Sequence, residues 1–264
     1  LLLLNPDINN VFISSPSYYG TGCDIAAIAG ITSSHNKLLL VDEAHGAHFA
    51  FSQRCPRTAL GSGADGVVNG LHKTLPVLNQ GACLHLSARL AGDLRIEKTL
   101  SLLTTTSPSY PILASIELAR QFMEENGESL LEKSWQLSRE YRQKINAIAG
   151  LSCCEQELQA VTGVTGLDPL KMLVSVRGSA LNGYQLAALL REGYGIQVEL
   201  EDTNFVLAMF SVFHDRNDWE KFYQALQVIA ATYPGRGRTW PKVELPPLPP
   251  MLLTPRQAFM ASSL

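Results

Sequence analysis

Leu38-Leu39-Leu40-Val41-Asp42-Glu43-Ala44-His45-Gly46-Ala47-His48 carries four apolar residues straight into two acids and two histidines. A short apolar run bounded by small and polar residues is the mark of a strand with both faces covered. The acids then fall at the carboxyl end of that strand, where open parallel sheets bind their ligands. The pattern repeats outward, with Val11-Phe12-Ile13 before it and Gly66-Val67-Val68 and Ala82-Cys83-Leu84 after it. Loop and helix signals separate the runs, so this region predicts a parallel sheet in an α/β domain.

Three chemistries compete for residues 41–48. A nucleotide-hydrolase reading of Asp42-Glu43-Ala44-His45 would use the acids to hold Mg²⁺, and it needs a GxxxxGK[ST] phosphate loop that the sequence lacks. A metal site on His45, His48 and a carboxylate has neither the HExxH spacing nor an evident third ligand, so no metal is expected. The third reading places Asp42 against the pyridinium nitrogen of pyridoxal 5'-phosphate. A carboxylate there keeps the ring protonated, and a protonated ring accepts the electron pair released when a bond to the substrate α-carbon breaks.

That reading needs a lysine, and Asn69-Gly70-Leu71-His72-Lys73-Thr74 supplies one directly after the run at Gly66–Val68, 31 positions beyond Asp42. At the rim of the sheet or just inside it, burial would favour the neutral amine that forms an imine. A lysine after a strand is otherwise an ordinary surface residue; Asp42 in the neighbouring loop gives it a task. Gly61-Ser62-Gly63-Ala64-Asp65-Gly66 fits GxGxxG but precedes a strand instead of opening a helix, so it reads as a loop. Leu103-Thr104-Thr105-Thr106-Ser107-Pro108-Ser109-Tyr110 sets hydroxyls before a helix, which suits either a capping loop or a phosphate.

Beyond Tyr110, Ile112, Ile116, Ala119 and Met123 recur at helical spacing, and so do Leu131, Trp135, Tyr141, Ile145 and Ile148. Gly127 and Gly150 punctuate them, predicting two helices. A small α/β unit follows: a strand at Lys171–Val176, a helix near Gly183–Arg191, strands near Ile196–Leu200 and Phe205–Phe210, and a last helix capped by Asn217. Pro241–Pro250 holds five prolines and reads as an extended linker. The expected organisation is a large domain over 1–149, a small domain over 150–240 and the start of a further domain over 241–264.

Of the 264 residues 46% are hydrophobic and 17% charged, enough for one large core or two unequal ones. A net charge of -3 gives no basic field for nucleic acid or an anionic membrane. No apolar run approaches the roughly 20 residues of a membrane helix. The five cysteines lack disulfide or zinc spacing, which suggests a reducing, cytoplasmic setting. The chain starts at Leu1 with no targeting pattern.

Several stretches resemble the ornithine/lysine/arginine decarboxylases of pyridoxal-phosphate fold type I, especially the shorter bacterial arginine decarboxylases. They are Ser15-Pro16-Ser17-Tyr18-Tyr19-Gly20, Val41–His48, His72-Lys73-Thr74-Leu75-Pro76, Gln80-Gly81, Thr104–Tyr110 and Leu253-Thr254-Pro255-Arg256-Gln257-Ala258-Phe259. The resemblance implies that Lys73 forms the imine with pyridoxal phosphate, that Asp42 binds the pyridine nitrogen and that Ala44 and His45 lie against or beside the ring. It also implies that His72 contacts the cofactor phosphate, and that Thr106 or Ser107 reaches the phosphate of a neighbouring subunit in a homodimer. Gly70 departs from the family's usual serine three residues before the lysine. The family's amino-terminal half, with its phosphate turn, has no counterpart here, so the chain resembles the middle of the enzyme.

The expected reaction is α-decarboxylation of a basic amino acid, arginine to agmatine foremost, a step of polyamine biosynthesis; His45 is a weak candidate for the proton donor. Another fold-type-I reaction, transamination or acyl transfer, and a catalytically inactive fragment are the competing readings.

Overall fold

The computed structural model describes residues 2–235 and 246–261; part of the proline-rich linker, residues 241–245, lies outside the described residues. The chain begins with β1 (Asn10–Ser14), β2 (Thr21–Cys23), α1 (Ile25–Ser34) and β3 (Leu38–Asp42), and a 3-10 turn at Ala47–Phe51 follows. β4 (Gly66–Asn69), α2 (Leu71–Thr74), β5 (Cys83–Leu86), α3 (Leu94–Leu103) and α4 (Tyr110–Asn146) come next. The second half holds β6 (Ser152–Cys153), α5 (Glu155–Gln159), β7 (Val164–Leu167), β8 (Lys171–Ser175) and α6 (Gly183–Tyr194). β9 (Leu200–Glu201), β10 (Phe205–Met209), α7 (Arg216–Thr232) and α8 (Pro255–Met260) complete it.

The first sheet has the order β1-β3-β4-β5. β1, β3 and β4 are parallel, as expected, with Ser14 opposite Asp42 and Asp42 opposite Val68. β5 departs from the expectation and runs antiparallel to β4. The reason lies in α2: a single turn of helix rises only about 6 Å, too little to carry the chain back along the sheet, so it re-enters from the same end. One face of the sheet packs Leu39, Val41 and Val67 against Ile25 and Ala29 of α1. The other face presents Phe12, Val68 and Leu84, all exposed, so these strands are not covered on both faces within the described residues.

Two predicted helices prove to be one. α4 runs unbroken through Gly127, which is buried because the 3-10 turn passes so close that a β-carbon there would lie 2.8 Å from Phe51 Cβ. That glycine serves close approach, not termination. The N-cap of α7 is Asp215 instead of Asn217; its carboxylate accepts from the Asn217 and Asp218 N–H groups, and Asp218 reciprocates. Of the expected Ile196–Leu200 strand only Leu200 lies in a strand, the two-residue β9.

The second sheet is antiparallel, β6-β8-β10-β9. Its core joins Met172, Val174, Val206 and Ala208 to Leu186 and Leu190 of α6, Trp219 and Leu226 of α7, and Leu137, Tyr141 and Ile145 of α4. A smaller core links Met123 and Leu131 of α4 to Phe49, Cys55, Leu170 and Val212. β7 reaches back to pair with β2, which holds the first residues of β8 beside the carboxyl ends of β3 and β4.

Candidate active site

Asp42 is the last residue of β3 and is half-buried. Its Oδ1 accepts the N–H of Ala44 at 3.0 Å, and Oδ2 has no hydrogen-bond partner among the described residues. Glu43 turns the opposite way and is buried. Its Oε1 accepts from the Ala59 N–H at 2.7 Å, and Asn69 Nδ2 donates both to Oε2 at 3.2 Å and to the Glu43 carbonyl at 2.8 Å. Burial raises the Glu43 pKa against these donors. The two acids thus divide: Glu43 ties the ends of β3 and β4 together, and Asp42 is left facing outward from the rim.

Lys73 lies on α2, which leaves the end of β4 at Gly70. It is exposed, so the burial expected of it is absent. Its Nζ is 3.4 Å from Nε2 of His45. A β-carbon at Gly70 would sit 3.1 Å from the Ala44 carbonyl and 3.1 Å from Lys73 Cδ, which explains why the smallest residue occupies this approach between the two loops. His72 Nδ1 donates to the Gly81 carbonyl at 2.9 Å. A carbonyl only accepts, so Nδ1 carries the hydrogen, and Nε2 donates to an anion only when the ring is charged.

The structure therefore brings Asp42, Ala44, His45, His72 and Lys73 to one rim. Thr106 and Ser107 are exposed and make no hydrogen bond to any of these five among the described residues; Ser107 N–H donates to Thr105 Oγ1 at 3.1 Å. His48 does not converge with His45. It is buried, with Nε2 3.2 Å from Asp168 Oδ1, both side chains fully enclosed.

Three further residues complete the surroundings of His45. Lys171, at the start of β8, places Nζ 3.2 Å from His45 Nδ1. Tyr18 meets the imidazole edge-on at 4.9 Å, and its hydroxyl donates to Glu199. Desolvation, then the charges of Lys171 and Lys73, push the His45 pKa down to about 4 against the opposing pull of Glu199 and Asp168. Sequence reasoning passed over Lys171 and Glu199. The available signal was a lysine heading the apolar run Met172-Leu173-Val174, where every position is buried.

Residues 5–165 match the family model described as Orn/Lys/Arg decarboxylase, major domain. The chain belongs to this family. It is 33% identical over 261 residues to an arginine decarboxylase of Bacillus subtilis, covering 98% of this chain and 53% of that protein. It is 34% identical over 259 residues to one of Bacillus cereus, covering 97% and 56%. The chain thus spans about half the length of the curated relatives it matches. Among solved structures, the lysine decarboxylase of Francisella novicida superposes with a TM-score of 0.70 at 18% identity, over 84% of this chain and 36% of that one. A NifS-like protein of Rickettsia africae gives 0.63 at 18%, over 83% and 61%. The fold of this family member is therefore that of the pyridoxal-phosphate fold-type-I enzymes.

Proposed function

We propose that this chain carries the reactive lysine of a pyridoxal-phosphate-dependent decarboxylase acting on a basic amino acid, arginine foremost. The observation that carries the proposal is the placing of Asp42 and Lys73 after adjacent parallel strands, with His45 against Lys73. The residues fit the group: Asp42 offers an unengaged carboxylate oxygen, Lys73 a primary amine, and His72 one open ring nitrogen. Bound there, pyridoxal phosphate supplies a protonated ring that accepts the electron pair left on the α-carbon as carbon dioxide departs.

In this reading Asp42 holds the proton on the ring nitrogen, and Ala44 N–H fixes the direction of its carboxylate. Lys73 would hold the cofactor covalently through its primary amine. Ala44 and His45 line the site beside Asp42, and His72 takes the phosphate. The hydroxyls of Thr106 and Ser107, exposed and without a hydrogen-bond partner among the described residues, suit the expected role of reaching a phosphate in a second copy, which makes the assembly a homodimer. Arginine is preferred because the relatives that match most of this chain are named arginine decarboxylases. Polyamine synthesis in the cytoplasm is the corresponding setting, in keeping with five unpaired cysteines.

The test combines pyridoxal phosphate with the chain, reduces with borohydride and locates the adduct by peptide mass. It then measures carbon dioxide released from arginine, lysine and ornithine. An adduct at Lys73 that is lost in Lys73→Ala, with carbon dioxide from arginine, is expected. A keto-acid product without carbon dioxide, or no adduct at all, refutes the reading.

A further inference from the structure

Successive residues of β8 serve opposite faces of the second sheet. Met172 and Val174 enter its main core, while Leu173 turns the other way, to Cys154 and Leu207. Leu158, Leu200 and Phe205 pack on that smaller cluster. Leu158 belongs to α5, which has five residues and so rises about 7.5 Å. A helix that short covers part of the face and leaves the rest open. A cavity of about 690 Å³ remains there, within the range that takes small molecules.

The cavity has an apolar floor, formed by Leu151, Leu158, Leu173 and Phe205. Three charged side chains share the lining: Glu157, Arg177 and Asp202. Among the described residues none of them is ion-paired, with one another or with any other group. The Arg177 guanidinium lies over the Phe205 ring, 4.7 Å from its centre, and donates to no acceptor. Asp202 Oδ1 accepts from the Asn204 and Phe205 N–H groups at 2.6 and 2.8 Å, which leaves Oδ2 open. Burial pushes the Cys154 thiol in the cavity wall up to about 11; Glu157 raises it and Arg177 lowers it, so both charges face one wall.

One guanidinium and two carboxylates around an apolar floor complement a molecule with one carboxylate, two cations and a methylene stem. A neutral amino acid would leave one acid unmatched, and a diamine would leave Arg177 unmatched. A fatty acid would meet two like charges.

We propose that this cavity binds a free basic amino acid. Its α-carboxylate lies at Arg177, its α-ammonium and side-chain cation at Glu157 and Asp202, and its stem along Leu158 and Leu173. Asp42, His45 and Lys73 are not in the lining, so this is a second site, apart from the candidate active site. Binding here requires neither pyridoxal phosphate nor Lys73. Tyr19 lines the cavity and directly follows Tyr18, which packs on His45.

The experiment titrates the full chain, without cofactor, with L-arginine and follows the methyl ¹³C signals of Leu158, Val161 and Leu173. Saturable shifts are expected and should persist in Lys73→Ala. Arg177→Gln and Glu157→Gln, both at exposed positions, should each weaken binding by about three- to tenfold. L-Lysine should compete. Agmatine, which lacks the carboxylate, and L-norleucine, which lacks the second cation, should bind more weakly by a similar factor. Absence of shifts, or shifts that vanish in Lys73→Ala, overturns the proposal. Equal binding of agmatine and arginine, or indifference to both glutamine substitutions, overturns it as well. Shifts that follow chain concentration instead of arginine make a second copy the occupant and refute the amino-acid site. Arginine-dependent shifts in a chain that releases no carbon dioxide uphold the site and refute decarboxylation.

Discussion

Gly127→Ala sets two effects of known size against each other. Alanine is favoured over glycine inside a helix by about 1 kcal/mol, and α4 is regular on both sides of this position. The added β-carbon, however, would lie 2.8 Å from Phe51 Cβ and 3.2 Å from Met123 Cε. Comfortable carbon separations are about 3.5–4.0 Å, so close to 1 Å must be recovered. Met123 can swing its terminal methyl aside. Phe51 Cβ cannot, because it is bonded to the backbone of the Ala47–Phe51 turn, which also anchors His48 and Phe49 in the interior. Overpacking of this kind costs about 1–3 kcal/mol, so the packing term wins and the variant should lose about 1 kcal/mol. Gly30→Ala is the internal control, since Gly30 lies within α1 with nothing inside 4 Å of its new β-carbon. That variant should gain about 1 kcal/mol. Urea unfolding followed by circular dichroism, compared at equal slope, measures both. If Gly127→Ala gains stability as Gly30→Ala does, the close-approach argument is wrong.

Two further outcomes follow from the geometry. Trp219 is fully buried and stacks on Phe210 at 3.5 Å, and its Nε1 has no hydrogen-bond partner among the described residues; Trp219→Ala should therefore cost about 3–5 kcal/mol through packing, read as a lower thermal midpoint. His45 titrates near 4 when folded against an ordinary 6.5, so the unfolded chain binds more protons between these values. Stability should rise with pH across that window and fall as pH drops through it. His45→Gln should flatten this part of the stability–pH curve, and an unaltered curve would contradict the depressed value.

The parallel core was legible because Leu39, Val41 and Val67 are apolar in short runs, and that pattern needs no knowledge of partners. The direction of β5 was not, since it depends on the length of a single helical turn. Gly127 was misread for a related reason: a glycine that ends a helix and one that admits a neighbour look identical until Phe51 is in place. At the site, Asp42 and Lys73 could be paired because both follow strands of one sheet. Lys171 could not, being almost a hundred residues further on and brought to His45 by the pairing of β2 with β7. The same distance in sequence conceals His48 and Asp168, whose contact turns an apparent metal ligand into an interior brace.

α4 is 37 residues long, about 55 Å at the usual rise, and it belongs to two interiors at once. Met123 and Leu131 serve the one beside the Ala47–Phe51 turn, and Leu137, Tyr141 and Ile145 serve the one beneath the second sheet. Neither interior can loosen without stripping buried surface from a rod that the other also needs. Heat or denaturant therefore meets a single cooperative unit. The loop of Thr106 and Ser107 is mounted on one end of that rod, so its footing is as firm as the two interiors that clamp α4.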